Sequence, residues 1–542
     1  MKKIYTIIIS VLFFFSNAYS QSWSWLSSTG NTGNDLVKNI SFDSSGNSYV
    51  TGIFKQTMFA GPNQISSFGG DDFFIASYDE QGSLRWARSG GGTADDGFTI
   101  ISATDPFGNT TVALGGSGSV HFGAFHLTNI LNDITLLRYD SSGNIIFATS
   151  YGSISNDVPM GLASDTLGNF YVTGFFNNNA QFGTTTLSSY GLTDFFLAKF
   201  DDTGNPLWAK RGGGSSYDAG TGVAIDRYNH ICVTGYFNDL ANFDGQFVTS
   251  EGGDDILIAS YDPDGNLNWI NTGKGSGTYD IGNKIDVDRY GNIYVAGQFE
   301  DTITFGSFTK SSIGSIDAFI AACDSAGNFK WVSSYGGGGE DVAFDIDVLE
   351  NGNMFFSGYF SQTASFGTNT LISNGAKDMF TACNLSSGLL YWVKQNGGTG
   401  DDIARSIRAR SESECFVGGS YSDYVSFDNF NFNSLGGLDF FAGKMSTPVS
   451  GVPLISEQAT FSVFPNPVMT GDLVTIDVSA IAKGEFSICI FDNSGSLVID
   501  NTIRSNQATH TFMFPSVNAG LYHMRLIDSN GKMSVARIII QN

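Results

Sequence analysis

The sequence predicts an all-β protein: a seven-bladed β-propeller of four-stranded blades closed by the N-terminal strand, followed by a small Ig-like β-sandwich. Three observations predict it. First, glycine is abundant (67 of 542 residues), aromatics reach 14% and proline is scarce at 10, which marks a folded, turn-rich chain. No long stretch carries the 3.6-residue period of a helix. Second, two columns of aspartate recur along the chain at a nearly constant step. Third, the last part of the chain breaks into short strand-like runs.

Taken in order, residues 1–20 read as an export signal. Lys2 and Lys3 form a basic start, Ile7 to Phe15 are mostly apolar, and Ala18 and Ser20 supply small residues at the recognition positions. The apolar run is too short to cross a bilayer, so cleavage is expected rather than anchoring.

Residues 21–446 carry the repeat. One column is Asp35, Asp96, Asp157, Asp218, Asp280, Asp341 and Asp402; the other is Asp72, Asp133, Asp194, Asp255, Asp317, Asp378 and Asp439. Both step by 61 residues with a single step of 62. In the first unit, Asp35 to Phe42, Ser48 to Phe54, Asp72 to Tyr78 and Leu84 to Arg88 read as four strands, rich in β-branched and aromatic residues. Asp, Gly and Asn fill the turns between them, and Gly82, Gly143, Gly204, Gly265, Gly327 and Gly388 supply the positive φ of short hairpins. The longer segments between strands two and three, such as Lys55 to Gly70 and Asp239 to Gly253, read as loops that form a rim surface.

Repeated four-stranded units predict a propeller. Closure follows from a missing strand. The strand-four aromatic stands at Trp86, Phe147, Trp208, Trp269, Trp331 and Trp392, and the last repeat stops after Phe440 to Lys444 without one. Trp25 precedes Asp35 by ten residues, as Trp86 precedes Asp96. Trp23 to Ser27 are therefore expected to complete the last blade, which removes its open edge. The pattern Tyr49-Val50-Thr51-Gly52, Asp72-Phe73-Phe74-Ile75-Ala76 and Asp79-x-x-Gly82-x-x-x-Trp86 resembles the bacterial seven-bladed β-propeller repeat (SBBP-like) family over Gln21 to Met445. That resemblance implies a fold and no single activity.

Residues 447–457, with Pro448, Gly451 and Pro453, read as a linker, and 458–542 as the small sandwich. Phe464-Pro465-Asn466-Pro467, Gly520-Leu521-Tyr522 with Arg525, and the final strand Lys532 to Ile540 resemble the type A C-terminal sorting domain of the type IX secretion system. The resemblance implies a Bacteroidota-type bacterium, passage through the periplasm, the secretion machinery as a partner, and a secreted or outer-surface destination.

The net charge of −25 disfavours nucleic acid and anionic lipid as partners and leaves cations, basic proteins and neutral glycans open. Beyond the leader no stretch is apolar enough to form a transmembrane helix. Cys232, Cys323, Cys383, Cys415 and Cys489 lie in apolar runs and read as buried thiols. His121 and His126 share one loop without a third ligand, and Asp262-Pro263-Asp264-Gly265-Asn266 is the stretch closest to a calcium loop. Turn bracing accounts for the aspartates better than calcium does. Asp165-Thr166-Leu167, Asp301-Thr302-Ile303 and Asp324-Ser325-Ala326 resemble the short O-glycosylation motif of this bacterial group.

The sequence nominates no catalytic, cofactor-binding or metal-binding residue and calls for no cofactor. It predicts a non-enzymatic binding or adhesion protein with a protein or glycan ligand. The alternative is a secreted polysaccharide lyase or glycosidase with carboxylates in the funnel. That alternative would show as a repeat that breaks the consensus, and the repeat from Asp402 departs most, through Arg405, Arg408, Arg410, Glu412 and Glu414.

Overall fold

Strands and turns make up the whole of the described chain. The structure, a computed structural model, describes residues 21–60, 63–97 and 99–446, and toward the C-terminus 462–466, 468–469, 473–477, 484–491, 497–505, 509–513, 517, 520–528 and 533–541. No helix occurs among them. The expected leader (1–20) and linker (447–457) lie outside the described residues. The chain divides into two compact units, Met1–Pro448 and Val449–Asn542.

In the first unit Leu36–Phe42, Ser48–Ala60, Asn63–Tyr78 and Leu84–Gly90 pair antiparallel in chain order. The same order recurs along the chain, each set opening on a first strand: Ile100–Thr104, Val158–Ser164, Ala219–Ile225, Ile281–Val287, Asp341–Val348 and Asp402–Ser411. Middle strands are buried on both faces, as in Asp133–Tyr139, so they read as continuous apolar runs rather than alternating ones.

The set that opens on Asp402–Ser411 continues with Glu414–Tyr421 and Asp439–Ser446, and its outer strand is Ser22–Thr29 from the start of the chain. Trp25 lies opposite Lys444 and Ser27 opposite Ala442. First strands contact first strands from set to set, and Asp402–Ser411 contacts Leu36–Phe42, so the order is cyclic. One core cluster accordingly joins Trp25, Val37, Phe54 and Phe74 to Phe416, Phe440 and Ala442.

The segments expected as rim loops are strands instead. Ser48–Ala60 runs into Asn63–Tyr78, and Ile231–Phe243 into Gln246–Tyr261, as hairpins that extend past each sheet. The register shifts where each extension begins, at Gln56 (φ 66°) and Asp239 (φ 62°), each of which stands opposite four residues of the facing strand. The second strand of each extension is mostly exposed and the first buries only alternate residues, such as Ala241 and Phe243, so the pair was hidden in a polar-looking segment. They also link neighbours: Gly212 of one set pairs with Phe243 of the next.

In the second unit Ser462–Phe464, Leu473–Asp477 and Thr509–Met513 form one sheet. Val468–Met469, Met533–Gln541, Gly520–Asp528, Gly484–Phe491 and Leu497–Ser505 form the other. Val474, Ile476, Ile488, Ile490, Met524, Leu526 and Ile538 share one core.

Candidate functional site

The two aspartate columns meet. Each second-column residue lies beside the first-column residue of the next set, and the backbone between them holds both. The Gly92 N–H faces Asp96 Oδ2 at 2.6 Å and Asp72 Oδ1 at 3.2 Å. A Cβ placed on Gly336 would stand 2.6 Å from Asp317 Oδ1 and 2.8 Å from Asp341 Oδ2, so only glycine fits where the pair closes. First-column carboxylates take the N–H four residues before them, as Asp218 does from Gly214 at 2.7 Å, and one about twenty residues ahead, as Asp280 does from Glu300 at 2.8 Å. These contacts pin the loop before strand one to the end of strand two.

The pairs are dry. Asp194, Asp218, Asp341, Asp378 and Asp402 are all buried, and Asp194 Oδ1, Asp317 Oδ1, Asp378 Oδ1 and Asp402 Oδ1 have no hydrogen-bond partner among the described residues. Burial, reinforced by the facing carboxylate, pushes Asp341 up to about 7 and Asp402 to about 8. The other oxygen of each carboxylate accepts backbone N–H groups, as Asp218 Oδ2, Asp341 Oδ2 and Asp402 Oδ2 do.

The turns behave in the same way. Asp262 Oδ1 accepts from Asp264 N and Asn266 N at 3.0 and 2.8 Å, and Asn266 Nδ2 reaches Oδ2 at 2.8 Å, so its donor set is that of a braced turn. Asp165 and Asp324, of the glycosylation-like triplets, brace turns through the same contacts. Tryptophans dock across sets: Trp25 Nε1 reaches Glu80 O at 3.1 Å and Trp86 Nε1 reaches Ser141 O at 3.0 Å. Gly82 (φ 83°) lies under Trp25, where a Cβ would meet the indole at 2.5 Å.

His121 and His126 face each other across the Ser119–Phe122/Phe125–Thr128 hairpin, stacked at 4.3 Å. No group of three or more metal-ligating side chains exists among the described residues. Cys232, Cys323, Cys383 and Cys415 are buried, and burial pushes the Cys323 thiol up to about 12.

A charged cluster on the first strands brings Arg408, singled out in the sequence, together with four residues that the sequence did not single out. Lys284 and Asp286 lie on Ile281–Val287, Asp345 and Asp347 on Asp341–Val348, and Arg408 on Asp402–Ser411. Arg408 Nη1 donates to Asp345 Oδ2 at 2.7 Å, and its Nε lies 3.9 Å from Asp347 Oδ1. Each carboxylate also bonds the neighbouring first strand: Asp286 accepts Val348 N at 2.6 Å, Asp345 accepts Ile407 N at 2.9 Å and Asp347 accepts Ala409 N at 2.7 Å. Side chains thus take the place of a ladder between strands that lie side by side unpaired. Burial raises Asp286 to about 7 and Asp347 to about 6, while it lowers the Lys284 ammonium against the pull of Asp345. The spacing alone could not show this, because the cluster is made by three adjacent repeats at one register position.

The divergent repeat is now explained by its neighbours. Arg410 bonds Glu80 at 2.8 Å and Glu414 at 3.1 Å, Lys444 bonds Glu414 at 2.9 Å, and Arg405 lies over Phe344 at 4.4 Å. Glu412 accepts from Asn351 at 2.6 Å. Charge pairs span the seams of the closing set, whose outer hairpin turn is missing because its last strand comes from elsewhere in the chain.

Against known proteins, residues 462–541 match the family model of the secretion system C-terminal sorting domain. This indicates export by type IX secretion to the cell surface or extracellular space, and interaction with that machinery. An uncharacterized WD repeat-containing protein of Acanthamoeba polyphaga mimivirus is 24% identical over 62% of this chain and 30% of its own length. The regulatory protein FlaEY of Caulobacter vibrioides is 24% identical over 53% of this chain and 32% of its own. The chain therefore spans about a third of the length of the curated relatives it matches. Among solved structures, a polysaccharide lyase (an ulvan lyase) aligns over 76% of this chain and 97% of its own at 12% identity and TM-score 0.36. An extracellular domain of a putative one-component system from B. thetaiotaomicron aligns over 93% and 92% at 10% identity and TM-score 0.17. No helix among the described residues is long and apolar enough to cross a membrane.

Proposed function

We propose that this chain is a secreted or surface-held binding protein: a seven-bladed propeller over 21–446, related to the SBBP-like repeat proteins, exported through a cleaved leader over 1–20 and an Ig-like sorting sandwich over 458–542. The cyclic contact of first strands and the outer strand lent by Ser22–Thr29 support the propeller. Rigid blades joined by buried aspartate pairs make a stable platform whose turns are free to vary.

One observation carries the binding reading over the enzymatic one. The inner-strand carboxylates best placed for acid–base chemistry, Asp286, Asp345 and Asp347, each accept a backbone N–H of the next strand. They hold the ring together, and a group fixed in that way is poorly placed to exchange protons with a substrate. The test is to present the purified secreted chain to a glycan and protein panel while following the release of new sugar ends. Capture without turnover is expected; turnover abolished by Asp347→Asn would overturn the reading.

A further inference from the structure

We propose that four consecutive turns at one end of the inner strands form a binding arc for an uncharged glycan chain; the proposal rests on the binding reading above and gives it a ligand class. The turns join first and second strands, and the third residue of each is Phe107, Leu167, Tyr228 and Tyr290. All four side chains stand out in solvent, with exposures of 83%, 76%, 56% and 57%. The equivalent residues of the other sets, Ser45, Asn351 and Glu412, are polar. Large apolar groups thus occupy an uninterrupted run of tips where a repeat without a ligand would carry polar ones.

The tips are held in place. Asp105 Oδ1 accepts the N–H of Phe107 and of Asn109, both at 2.9 Å. Asp165 holds Leu167 N at 2.9 Å, Asp226 holds Tyr228 N at 2.8 Å and Asp288 holds Tyr290 N at 2.8 Å. Neighbouring turns abut, since a Cβ on Gly291 would lie 3.8 Å from Asp226 Oδ2. The bracing aspartate therefore does more than shape a hairpin: it fixes the backbone of the residue on display, so presenting that ring costs little entropy on binding.

The chemistry around the rings fits sugar hydroxyls. Arg227 lies over the Tyr228 ring at 4.7 Å and Arg289 over the Tyr290 ring at 4.8 Å; each also donates to the neighbouring phenol oxygen. Asp226, bonded to His230 Nδ1 at 2.9 Å, stands beside them. Flat faces flanked by hydrogen-bonding donors and acceptors match a pyranose, which offers C–H groups on its face and hydroxyls at its rim. The net charge of −25 works against any polyanion, which selects an uncharged chain over an acidic one and over nucleic acid.

Affinity electrophoresis of the full secreted chain tests this, with dextran, xylan and laminarin as uncharged polymers and alginate as the anionic arm. Retardation by an uncharged polymer and none by alginate is expected. The Tyr228→Ala/Tyr290→Ala variant should bind at least tenfold more weakly at an unchanged melting temperature. The Tyr217→Ala/Tyr279→Ala variant, altered at exposed positions at the other end of the strands, should bind as the parent does. Retardation that survives Tyr228→Ala/Tyr290→Ala, stronger retardation by alginate, or none by any uncharged polymer overturns the arc. Capture of a protein instead would remove the glycan and leave the binding platform standing; glycan turnover would remove the binding reading and leave the arc.

Discussion

Replacing Asp402 by asparagine isolates one aspartate pair. The Asp402 carboxyl is held at about 8 by burial and by Asp378, whereas an unfolded aspartate titrates near about 4. A carboxyl raised in this way binds its proton more tightly folded than unfolded. Its stabilisation is complete below about pH 4 and is lost as pH rises through the folded value. The ceiling on that loss is about 1.4 kcal/mol per pH unit over the interval. Because the neighbouring Asp378 titrates with it and water can enter as the pair ionises, we work with about 2 kcal/mol between pH 5 and 8.

The Asp402→Asn amide keeps an oxygen for Gly398 N, now 2.7 Å from the carboxylate, and removes the charge that faces Asp378. It mimics the protonated pair at every pH. Guanidinium unfolding of both proteins at pH 5 and 8 is the assay. The variant should match the parent at pH 5 and exceed it by about 2 kcal/mol at pH 8. Asp402→Ala should instead lose about 1–3 kcal/mol at both values, because Gly398 N–H is left without an acceptor. A difference between parent and Asp402→Asn that does not change with pH, or that favours the parent at pH 8, refutes the account of a buried carboxyl raised by its neighbour.

Other outcomes follow from the seams. Arg408→Ala leaves Asp345 facing Asp347 without its cation and should cost about 3–5 kcal/mol by chemical denaturation. Gly82→Ala forces a side chain into a positive φ and against Trp25; a loss of about 1–3 kcal/mol by chemical denaturation is expected. Removing 462–541 should leave the first unit folded by circular dichroism and abolish its appearance at the cell surface in fractionation, since the sorting domain lies there.

Most of the β-structure was legible because it repeats. The 61-residue step of the Asp35 and Asp72 columns located the strands, and the position of Trp25 before Asp35 pointed to the strand that now lies opposite Asp439–Ser446. Two things were not legible. Extensions such as Leu240–Phe243 with Gln246–Thr249 bury only a short stretch: Ala241 and Phe243 alternate into the core, but the facing Gln246–Thr249 is mostly exposed, so the segment reads as a loop. The cluster of Lys284, Asp286, Asp345, Asp347 and Arg408 is assembled from three successive repeats, so its members lie about sixty residues apart in the chain, and although Arg408 stood out as a departure from the consensus, its partners did not. The role of the aspartates was half visible. Turn bracing at Asp105 or Asp262 follows from local spacing, whereas the meeting of Asp317 with Asp341 depends on how one set packs on the next.

The account depends on the chain's two ends of the first unit forming one sheet. Hydrogen–deuterium exchange read on the peptide that covers Ser22–Thr29 tests this most directly. Ser22–Thr29 pairs with Asp439–Ser446 along its length, so its amides should exchange as slowly as those of other outer strands such as Leu84–Gly90. Exchange at the rate of an unstructured peptide, with the Asp439–Ser446 amides also unprotected on that side, would contradict the closed ring and every seam argued from it.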